Sequence, residues 1–124
     1  MSHFTVIKVQ IKQGEVLQAV LQELGHTVEC NTHVRGHDGT RTHADYVIRR
    51  KNGYDLGFCK AGDSYDLVAD FWGADIDRRQ FVEQVTQHYT HKMLMTTVYE
   101  QGFDVLEEQT LEDGTVRVVV GKWV

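Results

Sequence analysis

The sequence predicts an α+β fold: a mostly antiparallel sheet of about 6–7 strands with two helices packed on one face. Three observations carry this expectation. Two amphipathic helical stretches, at residues 14–24 and 77–101, each end at a glycine. Short segments of alternating apolar and polar residues surround them. Turn signals at Asn52-Gly53, Gly62-Asp63 and Asp113-Gly114 separate those segments. A helix with one apolar stripe and a sheet with one apolar face must each bury it, so the layers meet.

Residues 3–12 read as the first strand. Thr5, Ile7, Val9 and Ile11 share one face, and Phe4 and Val6 make the other partly apolar. The first helix places Val16, Leu17, Val20, Leu21 and Leu24 in a narrow stripe, and Gly25 stops it. Residues 26–30 read as a short strand, and 31–42 as a polar loop holding the Asp38-Gly39 turn signal. Three strands follow. Ala44, Tyr46 and Ile48 alternate with polar neighbours, then Tyr54, Leu56 and Phe58, then Tyr65, Leu67, Ala69 and Phe71. The second helix opens on Asp77 and Gln80, spaced as a capping box, and aligns Phe81, Val82, Val85, Tyr89, Met93, Thr96 and Tyr99. Gly102 ends it. A hairpin over 103–110 and 115–123 closes the chain, with Val116, Val118 and Val120 on one face.

The two halves echo each other. Gly25-His26-Thr27-Val28 follows the first helix as Gly102-Phe103-Asp104-Val105 follows the second. Asp38-Gly39-Thr40 is matched by Asp113-Gly114-Thr115. This pattern fits a duplicated β-α-β-β unit with an extra strand between copies. Glycine stops and Asp-Gly turns are also common enough to agree by chance.

Length and composition narrow the function classes. The 124 residues fit a single domain, 1–124, and no Pro- or Gly/Ser-rich linker divides them. A net charge of −5 disfavours a phosphate backbone, so no nucleic acid is expected. The one dense basic run, Arg49-Arg50-Lys51, reads as a solvated strand end. No leader is expected at the N-terminus, and no apolar run is long enough to insert in a membrane. Cys30 and Cys59 read as reduced, buried thiols of a cytoplasmic protein.

No catalytic constellation is complete, so no enzyme and no cofactor are expected. Cys30, His33, His37 and His43 are suitable zinc donors in type, but their spacing matches no zinc signature, and no metal is expected. His88 and His91 share a helix face without a third donor to nominate. Asp66 and Asp70 lie about 13 Å apart along one strand, too far for a paired-carboxylate mechanism. What remains is a sheet face opposite the helices. It is expected to carry Tyr54 or Tyr65, with Asp55, Asp66, Asp70 and Trp72, a mixture suited to protein contact.

Six segments resemble a known family end to end. They are Met1-Ser2-His3-Phe4, Val34-Arg35-Gly36, Gly53-Tyr54-Asp55-Leu56-Gly57-Phe58, Asp66-Leu67-Val68-Ala69-Asp70, Gln101-Gly102-Phe103-Asp104-Val105, and Asp113-Gly114-Thr115-Val116-Arg117 leading to Trp123. The chain resembles an uncharacterised family of cyanobacteria and algal plastids, a conserved plastid reading frame of unassigned activity. The resemblance implies a cytosolic or stromal setting and an accessory role near an AAA-type ATPase. It also implies tyrosine as a frequent alternative to His37, which weighs against His37 as a metal ligand.

The leading expectation is therefore a non-enzymatic accessory or adaptor protein with a protein partner. It would act through the sheet face (Tyr54, Asp66, Asp70, Trp72) or the 31–42 loop. The alternative is a small-ligand or metal-binding protein using Arg35, His37, Asp38, Arg41 and His43.

Overall fold

A computed structural model describes residues 4–122. The expected start of the first strand at His3, the Met1–His3 segment and the Trp123 end of the last strand lie outside them. The described residues form an α+β fold of seven strands and three helices. The elements are β1 (Thr5–Lys8), α1 (Gly14–Glu23), β2 (Val28–Arg35), β3 (Arg41–Ile48), β4 (Leu56–Ala61), β5 (Ser64–Ala69), α2 (Phe71–Ala74), α3 (Arg78–Glu100), β6 (Phe103–Thr110) and β7 (Val116–Lys122).

The strands pair antiparallel but fall into two sheets rather than one. Five follow the order β1-β5-β4-β3-β2, and β6-β7 forms a separate hairpin. Helix length explains the split. At about 1.5 Å per residue, α1 spans roughly 15 Å and returns the chain to the sheet. α3 has 23 residues, and at the same rise it runs roughly 35 Å. Its buried residues, Phe81, Val85 and Tyr89, all lie in its first half. β6 therefore begins beyond the sheet and folds back along α3. The element order β-α-β-β recurs, while the pairing does not.

α1 and α3 pack on the same sheet face. Leu17, Val20 and Leu21 of α1 and Phe81, Val85 and Tyr89 of α3 share one buried cluster with Ile48, Leu56, Phe58, Tyr65 and Leu67. Gln13, at the N-cap of α1, makes no side-chain cap. Just before the helix, the Tyr89 hydroxyl accepts from the backbone N–H groups of Lys12 and Gln13 at 3.3 and 3.0 Å, which ties the lead-in of α1 to α3. At α3, Asp77 accepts from the Gln80 N–H at 3.1 Å, as its spacing suggested. Gly25 and Gly102 end the two helices at φ 91° and 80°.

Part of the opposite face is covered by the chain's own hairpin, while Val6 of β1 stays 60% exposed. β3 pairs with β4 only over Tyr46–Ile48, while β2 and β3 pair along their whole lengths. Their outer half leaves the sheet edge and crosses the sheet. Val34 and Ala44 come to rest on Gly57 of β4, where a Cβ would lie 2.2 Å from the Val34 side chain and 2.9 Å from the Ala44 Cβ. The Asp55 N–H donates to the Arg35 carbonyl at 3.1 Å, tying the hairpin tip to the start of β4.

Several sequence expectations need correction. Residues 31–35 and 41–42 are strand, and only 36–40 form a turn, with a 3-10 segment at His37–Gly39. Alternating polar side chains on a two-stranded ribbon mimic a loop when only one face is buried. Tyr65 lies in the helix-side core at 7% exposure, tilted against Tyr46, not on the opposite face. Asp55 and Asp70 are 0% and 1% exposed, not surface carboxylates. Cys30 is exposed rather than buried, and both thiols are free. The one-turn helix α2 was not foreseen; four residues are too few to show periodicity.

Candidate functional site

The hairpin tip, the β3-β4 turn and α2 converge at one place, held by two buried aspartates. Asp55 is the first. Its Oδ2 accepts from the Arg35 N–H at 2.9 Å, Arg35 Nε at 2.8 Å and Arg49 Nη1 at 2.7 Å. Its Oδ1 accepts from Arg35 Nη2 at 2.9 Å and the Arg50 N–H at 2.8 Å. Burial pushes this carboxyl up, but the Arg35 guanidinium, the two backbone N–H groups and Arg49 outweigh it and hold it at about 2. Arg49 continues to Glu29 at 2.9 Å and to the His33 carbonyl at 2.9 Å.

Asp70 is the second. Its Oδ2 accepts from the His37 N–H at 3.0 Å and its Oδ1 from the Trp72 N–H at 3.2 Å. One side chain thus caps α2 and anchors the hairpin turn. The other end of α2 is held too. The Ala74 carbonyl accepts from Arg50 and from Asn52 Nδ2. Gly73 lets the Tyr54 ring lie directly on α2, since a Cβ there would meet that ring at 2.2 Å.

Three aromatic rings stand on this base. The His37 ring meets Trp72 edge-on at 5.0 Å, and Tyr54 lies 6.5 Å from Trp72. His37 Nδ1 and the Tyr54 hydroxyl are 3.1 Å apart. Trp72 is 67% exposed, though both ends of its helix are fastened. The result is an amphipathic platform, hydrogen-bonded at both ends, with the Trp72 ring largely in solvent.

The sequence-based candidates divide accordingly. His37, Tyr54, Asp70 and Trp72 come together. Arg35 joins Asp55 beside them, half exposed. Asp38 is exposed in the turn at φ 53°. Arg41 stands opposite Arg35 across the hairpin, and His43 opposite His33, with ring centroids 6.1 Å apart. Asp66 is separate, on β5 opposite Cys59 and Lys8. The set Arg35, His37, Asp38, Arg41 and His43 therefore does not converge on one ligand. Among the described residues no three His, Cys, Asp or Glu side chains are grouped to hold a metal ion. His91 contacts Glu108 of β6, a carboxylate the sequence could not nominate.

Sequence reasoning missed Arg49, Arg50, Asn52 and Gly73. Arg49 and Arg50 are not a solvated strand end: both clamp the site. One signal was available. The Asn52-Gly53 turn folds residue 50 back toward residue 55, which sets the Arg50 N–H against the Asp55 carboxylate.

Comparison with known proteins adds a family to this geometry. Residues 20–119 match the model for "Protein of unknown function (DUF1257)". The chain belongs to the DUF1257 family. It is 32% identical to "Uncharacterized protein ycf35" of Guillardia theta over 127 residues, covering 99% of this chain and 98% of that one. The identically named proteins of Cyanophora paradoxa and Pyropia yezoensis are 30% and 27% identical, each with 99% and 98% coverage. No solved structure matches the chain. Val34–Gly36, Gly53–Phe58 and Asp70, which carry part of the DUF1257 resemblance, meet at the aspartate-held junction. No helix among the described residues of this DUF1257 chain is long and apolar enough to cross a membrane.

Proposed function

We propose that this chain is a non-enzymatic adaptor that binds a protein partner through the Trp72 platform, in the cyanobacterial cytosol or plastid stroma. The observation that carries this reading is an exposed tryptophan on a helix fastened at both ends. Exposed aromatics flanked by polar groups are the usual anchors of protein interfaces. A fastened anchor loses little conformational freedom on binding, so more of its contact energy reaches affinity. His37, Asp38 and Arg35 supply a polar rim. The family resemblance suggests an AAA-type ATPase as the first partner to try.

Affinity capture from a cyanobacterial lysate, comparing the native chain with Trp72→Ala, tests the proposal. Truncating an anchoring tryptophan costs about 2 kcal/mol or more of binding, roughly 30-fold in Kd. The variant should fold normally, because an exposed side chain contributes within about 0.5 kcal/mol of stability. A stoichiometric partner lost in Trp72→Ala supports the reading. No stoichiometric partner, or one equally retained by the variant, overturns it.

A further inference from the structure

A groove on the far side of α3 shares no residue with the Trp72 platform. Val82, Thr86, Thr90 and Leu94, four residues apart, form one line along α3. Val116 and the Glu112–Thr115 turn stand opposite and leave a space of about 920 Å3. The short threonines keep the groove open between its apolar ends, and Glu83, Glu112 and Asp113 lie along its rim. Glu112 makes no ion pair among the described residues.

The charge around the groove selects the occupant. Residues 103–122 carry five carboxylates and two cations, so most of the net charge of −5 gathers on this hairpin. A second copy would bring the same negative surface against it, which repels. An anionic ligand is disfavoured for the same reason. A segment with apolar residues on one side and lysine or arginine on the other satisfies both floor and rim.

We propose that this groove receives a basic amphipathic segment of a partner protein. Apolar side chains enter between α3 and Val116, and cations reach Glu112 and Asp113, and Glu83 in competition with Arg79, whose Nε lies 3.2 Å from it. The site operates whether or not Trp72 binds a partner of its own.

An 18-residue leucine-lysine peptide of helical periodicity is the probe, with a leucine-glutamate peptide as its control. Amide shifts of the full chain map the site, and two variants separate charge from shape. Glu83→Lys with Glu112→Lys reverses the rim. Thr90→Trp keeps every charge and fills the groove. The leucine-lysine peptide should shift Val82, Thr86, Thr90, Leu94 and Val116, and both variants should weaken it about tenfold or more. Equal binding to Thr90→Trp, shifts spread over the hairpin surface, or equal binding of the glutamate peptide would overturn the proposal. So would a dimer at working concentration that covers these residues.

Discussion

Asp55 keeps its charge inside the fold because five donors surround it. Its folded-state value of about 2, against an ordinary 3.8, makes it a source of pH-dependent stability. Between those values the unfolded chain holds the proton and the native chain does not, so stability rises with pH across that window. The contribution is complete above roughly pH 5 and is lost as pH falls through about 2; its size is on the order of 2 kcal/mol. Asp55→Asn keeps the volume but removes the charge that two guanidiniums face. It should cost about 2–3 kcal/mol at neutral pH and flatten the acid limb. Urea unfolding of both proteins from about pH 2 to pH 7 checks this. An acid limb unchanged in the variant would assign the proton to another group.

At the scale of elements, the β2-β3 hairpin is the device that builds the site. It can cross the sheet only because Gly57 leaves room for Val34 and Ala44. Gly57→Ala would set a methyl group 2.2 Å from Val34. The hairpin tip must then lift, at a cost of about 1–3 kcal/mol. Lifting it would also pull the His37 N–H from Asp70 and loosen the Trp72 platform. Thermal unfolding together with Trp72 fluorescence would detect both effects; a wild-type melting curve would contradict the packing described. The same hairpin shows what the sequence made legible. Periodicity and turn pairs revealed both long helices, β4, β5 and the terminal hairpin, because each signal is local. Residues 31–35 were not legible as strand. Their buried neighbour, Gly57, is a residue without a side chain more than twenty positions away. The aspartates were misplaced for the same reason. An outward position on a strand reads as solvent until another part of the chain covers it. Trp72 and Tyr54 could be named from composition, whereas the clamp by Arg50, Asn52 and Gly73 exists only after folding.

The whole molecule is unevenly stabilised along its length. Among the described residues none after Tyr89 is buried. The five-stranded sheet, α1 and the first half of α3 hold the core, while the hairpin packs chiefly through β6 on α3. A two-stranded hairpin has little stability by itself and takes what it has from the helix it packs on. It should therefore open locally, with a free energy well below that of global unfolding. Hydrogen exchange should show β6 and β7 amides exchanging about 100-fold or more faster than those of β4 and β5. A chain ending at Gln101 should still unfold cooperatively, with its midpoint lowered by only a few degrees. Equal protection of both sheets, or loss of cooperative unfolding on truncation, would mean that the hairpin belongs to the core unit. Conversely, the leucine-lysine peptide should slow exchange in β7 and leave β4 unchanged, because a segment wedged between α3 and Val116 adds the partner surface that the hairpin lacks.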